Sequence, residues 1–249
     1  MKKNILIAED HPLFRVALKM ALKNISQDFI FTEADSIDLL QRIMEKKVKP
    51  DIVILDLNMP GAHGFSGLHF IRGYYPNCPV VVISGYEDKE IILQAMQAGA
   101  IAYIPKSVRT ELLIKALTTA LSGGQWFPEG IVQIDQKKDQ SAKSGQTASG
   151  IASLTPQQFR ILSMVGEGLL NKQIAHELAI TEATVKAHLT TLFKKLGVRN
   201  RTQAVIALKT LEISDEETAF FNPQDADNSH KMPLTQTQNS HPPGNNTLH

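Results

Sequence analysis

Two tetrapeptides, Ile52-Val53-Ile54-Leu55 and Val80-Val81-Val82-Ile83, are apolar at every position and almost wholly β-branched. A strand wetted on one face alternates apolar with polar residues, so unbroken runs of this kind mark strands covered on both faces. Parallel strands with helices packed above and below meet that demand. The two runs sit within strand candidates 51–58 and 80–85, and further candidates lie at 4–10, 29–35 and 102–106. Stretches with helical periodicity at 12–25, 36–47, 66–75, 89–98 and 110–121 separate and follow them. Strand-then-helix units in this number predict an α/β, doubly wound, five-stranded parallel sheet over residues 1–125.

The pattern dissolves beyond Gly123. Residues 126–153, rich in Ser, Gly, Gln and Lys toward their end, are expected to form a flexible linker. Regular patterning resumes at Leu154, where Thr155 can cap a helix, Pro156 suits its first turn and Gln158 completes a capping box. Short helices to about Leu211 predict a small all-α domain at 154–213. The remainder, 214–249, is rich in Asn, Gln, His, Pro and Asp and is expected to be a disordered, polar, acidic tail.

The whole-chain charge of +1 conceals a strong asymmetry. Residues 1–130 balance 14 bases against 14 acids, residues 151–213 carry eight bases and four acids, and residues 214–249 carry one base and five acids. A basic block of this size points to an anionic partner, nucleic acid first. No apolar run approaches the roughly 18–20 residues of a membrane-spanning helix. Cys78 is the single cysteine, so no internal disulfide can form, and a cytoplasmic location is the expectation.

In open α/β sheets, functional groups collect beyond the carboxyl ends of the strands. Here those ends carry Glu9-Asp10, Asp56-Leu57-Asn58, Ser84-Gly85 and Lys106. Three carboxylates in one place repel one another unless a divalent cation sits among them, and Mg²⁺ suits oxygen ligands that also meet a phosphate. A hydroxyl and an ammonium alongside would hold phosphate oxygens. Asp56 then becomes a candidate nucleophile for an acyl phosphate. His11 and His63 flank the site and read as ordinary loop residues, since no metal-ligand spacing links the eight histidines.

In the basic block, 171–179, a turn at Ile180-Thr181 and 182–196 ending at Gly197 have the length and punctuation of a helix-turn-helix. Val185, Leu189, Leu192 and Leu196 form a stripe at helical spacing, which turns Thr184, Lys186, Ala187, Thr190, Lys194 and Lys195 to the other face. Such a face enters the major groove, its N-terminal residues reading bases and its lysines meeting phosphate.

The motifs Glu9-Asp10, Asp56-Leu57-Asn58-Met59-Pro60-Gly61, Ser84-Gly85 and Tyr103-Ile104-Pro105-Lys106 resemble those of the receiver domain of bacterial two-component response regulators. Leu154-Thr155-Pro156, 171–175, 184–188 and 195–202 resemble the LuxR-type DNA-binding domain, and together the chain resembles a NarL/FixJ-type response regulator over about residues 1–211. The resemblance implies a flavodoxin-like receiver in which Asp56 accepts phosphate from a sensor histidine kinase. It implies that Mg²⁺ is held by Glu9, Asp10, Asp56 and the Asn58 carbonyl, that Ser84 and Lys106 bind the phosphate, and that Ser84 and Tyr103 form the switch pair. DNA contacts are expected from Lys172, Thr184, Lys186, Ala187, His188, Thr190, Lys194 and Lys195. Phosphorylation is expected to favour a homodimer on an inverted repeat in promoter DNA, with Ala204, Val205 and Leu208 of the last helix at the contact. His63 departs from the Asp or Asn usual before the loop glycine, and Gln158-Phe159 replaces a more usual acidic residue.

Two other classes stand beside this reading. A phosphatase of the haloacid dehalogenase type also pairs an Asp nucleophile with Ser, Lys and Mg²⁺, but it needs a second Asp where Asn58 stands, and an amide cannot shuttle the proton. The helix-turn-helix could instead serve protein–protein interaction, against which Lys172, Lys186, Lys194, Lys195, Arg199 and Arg201 argue. The chain is therefore expected to be a phosphoacceptor with at most slow autodephosphorylation, not an enzyme.

Overall fold

The computed structural model describes residues 2–46, 49–131 and 142–213. Five parallel strands form one sheet: β1 (Asn4–Ala8), β2 (Ile30–Ala34), β3 (Ile52–Asp56), β4 (Val80–Ser84) and β5 (Ala102–Pro105). Their spatial order is β2-β1-β3-β4-β5. The helices between and after them are α1 (Pro12–Ile25), α2 (Ile37–Glu45), α3 (Ser66–Tyr74), α4 (Lys89–Gln97) and α5 (Thr110–Leu121). Strand β3 is buried along its whole length, as its unbroken apolar run requires, and β4 likewise.

Alternate residues of each strand feed different layers. Ile5, Ile7, Ile52, Ile54, Val81 and Ile83 pack with Leu18 and Leu22 of α1 and Leu113 and Leu117 of α5. Leu6, Val53, Leu55, Val80 and Val82 face Leu40 of α2, Leu68 and Ile71 of α3 and Ile92 of α4. That second layer continues without a break into the helices that follow. These are α6 (Ala142–Ala152), α7 (Pro156–Gly166), α8 (Asn171–Glu177), α9 (Glu182–Leu196) and α10 (Arg201–Lys209).

The capping box at the start of α7 is formed as expected, with Gln158 N donating to Thr155 Oγ1 and Thr155 N to Gln158 Oε1. Gly197 ends α9 in the left-handed region, at φ 68°, where a side chain would be strained. The turn between α8 and α9 places Ala179 in the same region, at φ 52°.

The expected flexible linker at 126–153 is corrected at both ends. Trp126 makes a parallel bridge to Ala102 of β5, exchanging backbone hydrogen bonds of 3.0 and 3.1 Å with Tyr103 and Ile101. Residues 142–152 form α6, packed between α3 and α9, where Gly150 and Ala152 permit close approach. A Cβ on Gly73 of α3 would overlap the Ala152 carbonyl, and one on Gly150 would lie 2.7 Å from the Lys195 carbonyl. The middle of that linker, 132–141, and the expected tail at 214–249 lie outside the described residues. No helix among the described residues is long and apolar enough to cross a membrane.

Candidate functional site

The order in which strands are added reverses between β1 and β3, so the residues just past both strands meet at one rim. Glu9 and Asp10 follow β1, Asp56 ends β3, Ser84 ends β4, and Lys106 follows β5. Lys106 Nζ donates to Glu9 Oε1 at 2.9 Å and to Asp56 Oδ2 at 3.0 Å, bridging the two buried carboxylates. Asn58 N donates to Asp56 Oδ1 at 3.1 Å, which fixes the start of the β3–α3 loop to the same carboxylate.

Electrostatics set Asp56 apart. Burial raises its pKa above the ordinary carboxylate value, and the Glu9 charge adds to this, against the Asn58 amide and the Lys106 ammonium. For Lys106 burial alone would lower the pKa, but the hydrogen bond to Glu9 and the charge of Asp56 outweigh it and leave the ammonium favoured. Glu9 is 1% exposed, and its Oε2 is buried with no hydrogen-bond partner. An orphaned carboxylate oxygen in that position is costly without a counter-charge.

A divalent cation fits these residues. Oxygen-bearing ligand atoms of Glu9, Asp10 and Asp56 lie within 4.8 Å of one another, with a His11 ring nitrogen in the same group. His11 Nδ1 is 2.9 Å from Glu9 Oε1 and 2.8 Å from Asp10 Oδ1, closer to the acidic cluster than an ordinary loop residue. Its position directly after Glu9-Asp10 was the available signal.

Ser84 and Tyr103 are both fully buried. Ser84 Oγ accepts from Tyr86 N at 3.3 Å, and the Tyr103 hydroxyl donates to the Tyr86 carbonyl at 2.9 Å, so both hold the β4–α4 loop. Burial pushes the Tyr103 phenol up to about 12, which keeps it a neutral donor.

In the helical domain, Val185, Leu189, Leu192 and Leu196 are buried. Thr184, Lys186, Ala187, Thr190 and Lys194 are exposed along α9, and Lys172 is exposed on α8. His188 is half-buried. Thr181 Oγ1 accepts from Thr184 N at 3.2 Å and so caps α9. The Thr190 hydroxyl donates to the Lys186 carbonyl, which commits it to its own helix.

Two basic residues prove structural. Lys195 Nζ donates to the Ser153 carbonyl at 2.7 Å and to Gln158 Oε1 at 2.8 Å, which ties α9 to α7 instead of leaving the ammonium for phosphate. Gln158 thus serves both the α7 cap and Lys195. Arg201 donates to the Val165 and Leu169 carbonyls and fastens α10 to the end of α7.

The expected dimer contact also needs correction. Ala204 and Leu208 are buried in the domain core and Val205 is half-buried against it, while Ile206 on α10 is 57% exposed. The stripe of Ala204, Val205 and Leu208 is the inner face of α10.

Residues 5–118 match the family described as "Response regulator receiver domain", and residues 152–208 match "Bacterial regulatory proteins, luxR family". The Glycerol metabolism activator of Pseudomonas putida is 35% identical over 213 residues, covering 84% of this chain and 96% of that protein. The nitrate/nitrite response regulator protein NarL of Escherichia coli K12 is 32% identical over 202 residues, covering 81% and 93%. A solved structure of RcsB from Salmonella enterica serovar Typhimurium bound to a promoter has a TM-score of 0.49 at 21% identity, covering 85% of this chain and all of that one. With both domains matched in this order and full-length relatives above 30% identity, the chain belongs to the NarL/FixJ-type response regulators, DNA-binding transcription regulators built from a receiver and a LuxR-type domain.

Proposed function

We propose that Asp56 is the phosphoacceptor and that its phosphorylation controls binding of the α9 face to promoter DNA. The observation that carries this is the Lys106 ammonium bridging Asp56 and Glu9 beside an unpartnered Glu9 oxygen. The phosphodonor is a phosphohistidine on a sensor histidine kinase in the cytoplasm. An Asp56 carboxylate oxygen forms a bond to phosphorus as the P–N bond breaks, and the imidazole nitrogen takes the electron pair and then a proton. The chain is left as an acyl phosphate that it does not turn over as an enzyme would.

Glu9, Asp10, Asp56 and the Asn58 carbonyl would hold Mg²⁺, which supplies positive charge against the carboxylates and the incoming phosphoryl oxygens. Lys106 would add a second positive charge toward the same oxygens, and Ser84 Oγ would be the hydroxyl donor on the adjoining strand end. A phosphoryl group drawing Ser84 away from Tyr86 N would disturb the loop that Tyr103 also holds. Ser84 and Tyr103 therefore serve as the switch pair.

On DNA, Lys186 is the strong base-reading donor, while Ala187 and the Thr190 methyl suit thymine methyls. Lys172, Thr184 and Lys194 contact phosphate, with His188 at the edge of that face. Two copies bind an inverted repeat, since two-fold proteins mirror two-fold sites. The experiment is incubation with a small phosphodonor and Mg²⁺, read by intact mass. The wild-type chain gains one phosphoryl group and Asp56→Ala does not. An equal gain in the variant would move the acceptor elsewhere.

A further inference from the structure

Among the described residues, α2, α3 and the loop between β3 and α3 meet the helices beyond the receiver, and His63 of that loop takes part in the contact. Its Nδ1 is 3.3 Å from Glu212 Oε1 and its Nε2 is 3.4 Å from the Ser163 carbonyl of α7. Two residues on, Phe65 N donates to the Leu211 carbonyl at 2.9 Å. Phe70 of α3 stacks on Phe159 of α7 with ring centroids 4.2 Å apart. Asp38 of α2 pairs with Arg160 of α7. Gly73 of α3 and Gly64 in the β3–α3 loop lie so close to the Ala152 and Leu211 carbonyls that a Cβ on either would overlap them. Each of these contacts falls on α6, α7 or the turn that follows α10.

The α9 face is elsewhere. Thr184, Lys186, Ala187, Thr190 and Lys194 are exposed while all the contacts above are made, as is Lys172. Helix α9 is gripped from its inner side, by Gly150 of α6 against the Lys195 carbonyl and by Lys195 Nζ on the Ser153 carbonyl. Helix α6 is thus a spacer with the receiver on one side and the back of α9 on the other.

We infer that the receiver docks, through His63 and its neighbours, on the back of the DNA-binding domain, so that the docked chain reads a single DNA half-site as well as an undocked one. This rests on the DNA-reading role assigned to α9 above. The docking surface is a shape-fixing interface and not a mask over the recognition helix. His63 is its positioning residue, standing five residues beyond Asn58 on the loop that begins at the phosphoacceptor. Effects of phosphorylation on DNA binding would then act through pairing of two chains on two half-sites, not through uncovering one.

The test uses the full chain with two variants. Gly73→Ala favours the α3 helix by propensity yet drives a methyl into the Ala152 carbonyl. His63→Ala removes the contacts to Glu212 and the Ser163 carbonyl and leaves Glu9, Asp10, Asp56, Ser84 and Lys106 intact. Small-angle scattering reads shape, and fluorescence anisotropy reads binding to a short duplex bearing one half-site, obtained by selection from randomised DNA with the wild-type chain. We expect a larger radius of gyration in both variants, with half-site affinity within about threefold of wild type. A tenfold or greater change in half-site affinity on opening would overturn the inference, as would a radius identical to wild type in both variants. Lys186→Ala in the same assay separates the two readings: if it kept full affinity and sequence preference, the role of α9 would fail, whatever the docking variants did.

Discussion

Asp56 Oδ2 sits 3.0 Å from the Lys106 ammonium, yet burial and the nearby Glu9 charge outweigh that partner and hold its pKa above the ordinary carboxylate value. An ionised group in that position costs folding free energy until a cation or phosphoryl chemistry uses it. Asp56→Asn should therefore raise the melting temperature of the metal-free chain, by roughly 2–4 °C for each 1 kcal/mol relieved. Calorimetry in chelator checks this, and a lowered melting temperature would show that the Lys106 pairing dominates. Lys195 is the converse case, a charge spent on structure. Lys195→Ala should cost about 1.5–3 kcal/mol of stability, the range for hydrogen bonds from a charged donor, while leaving the salt dependence of DNA binding unchanged. Glu9, Asp10, Asp56, Ser84 and Lys106 were legible because strand ends in a parallel sheet converge by topology. The partners of His63 were not, since Glu212 and Ser163 lie 149 and 100 residues away and no local pattern joins them.

At the scale of elements, periodicity located the helices but not always which face they bury. On α10 the apolar positions Ala204, Val205 and Leu208 suggested an outer stripe, and the core claimed them instead. Leu208→Ala should cost about 2–5 kcal/mol in denaturant unfolding, as a core cavity does, whereas Ile206→Ala should stay within about 0.5 kcal/mol. Equal costs for the two would put Ile206 in the core as well. Helix α6 was hidden for a different reason. Its Ser, Gly, Gln and Ala residues carry little hydrophobic periodicity, so in sequence they read as a linker. In the fold that smallness is what lets α6 lie against both Gly73 of α3 and the end of α9. Strands β3 and β4 were the easiest elements to read, because a run buried on both faces has no polar residue to interrupt it.

For the whole molecule, a neutral receiver and a helical block with eight bases against four acids divide the labour. Phosphate contacts should appear in the salt dependence. Removing Lys194, or Lys172, should flatten the slope of log affinity against log salt by about 0.9, and should weaken specific and random duplexes alike. An unchanged slope would take that lysine off the phosphate backbone. The proposed function joins the two domains, with chemistry at Asp56 governing what α9 does on DNA. It is tested most directly by equilibrium binding of the full chain to an inverted-repeat duplex selected from genomic fragments, with and without a small phosphodonor and Mg²⁺. The phosphodonor should tighten binding of the wild-type chain and leave Asp56→Ala unaffected, with both binding a single half-site alike. Tightening that persists in Asp56→Ala, or is absent from the phosphorylated wild-type chain, would contradict it.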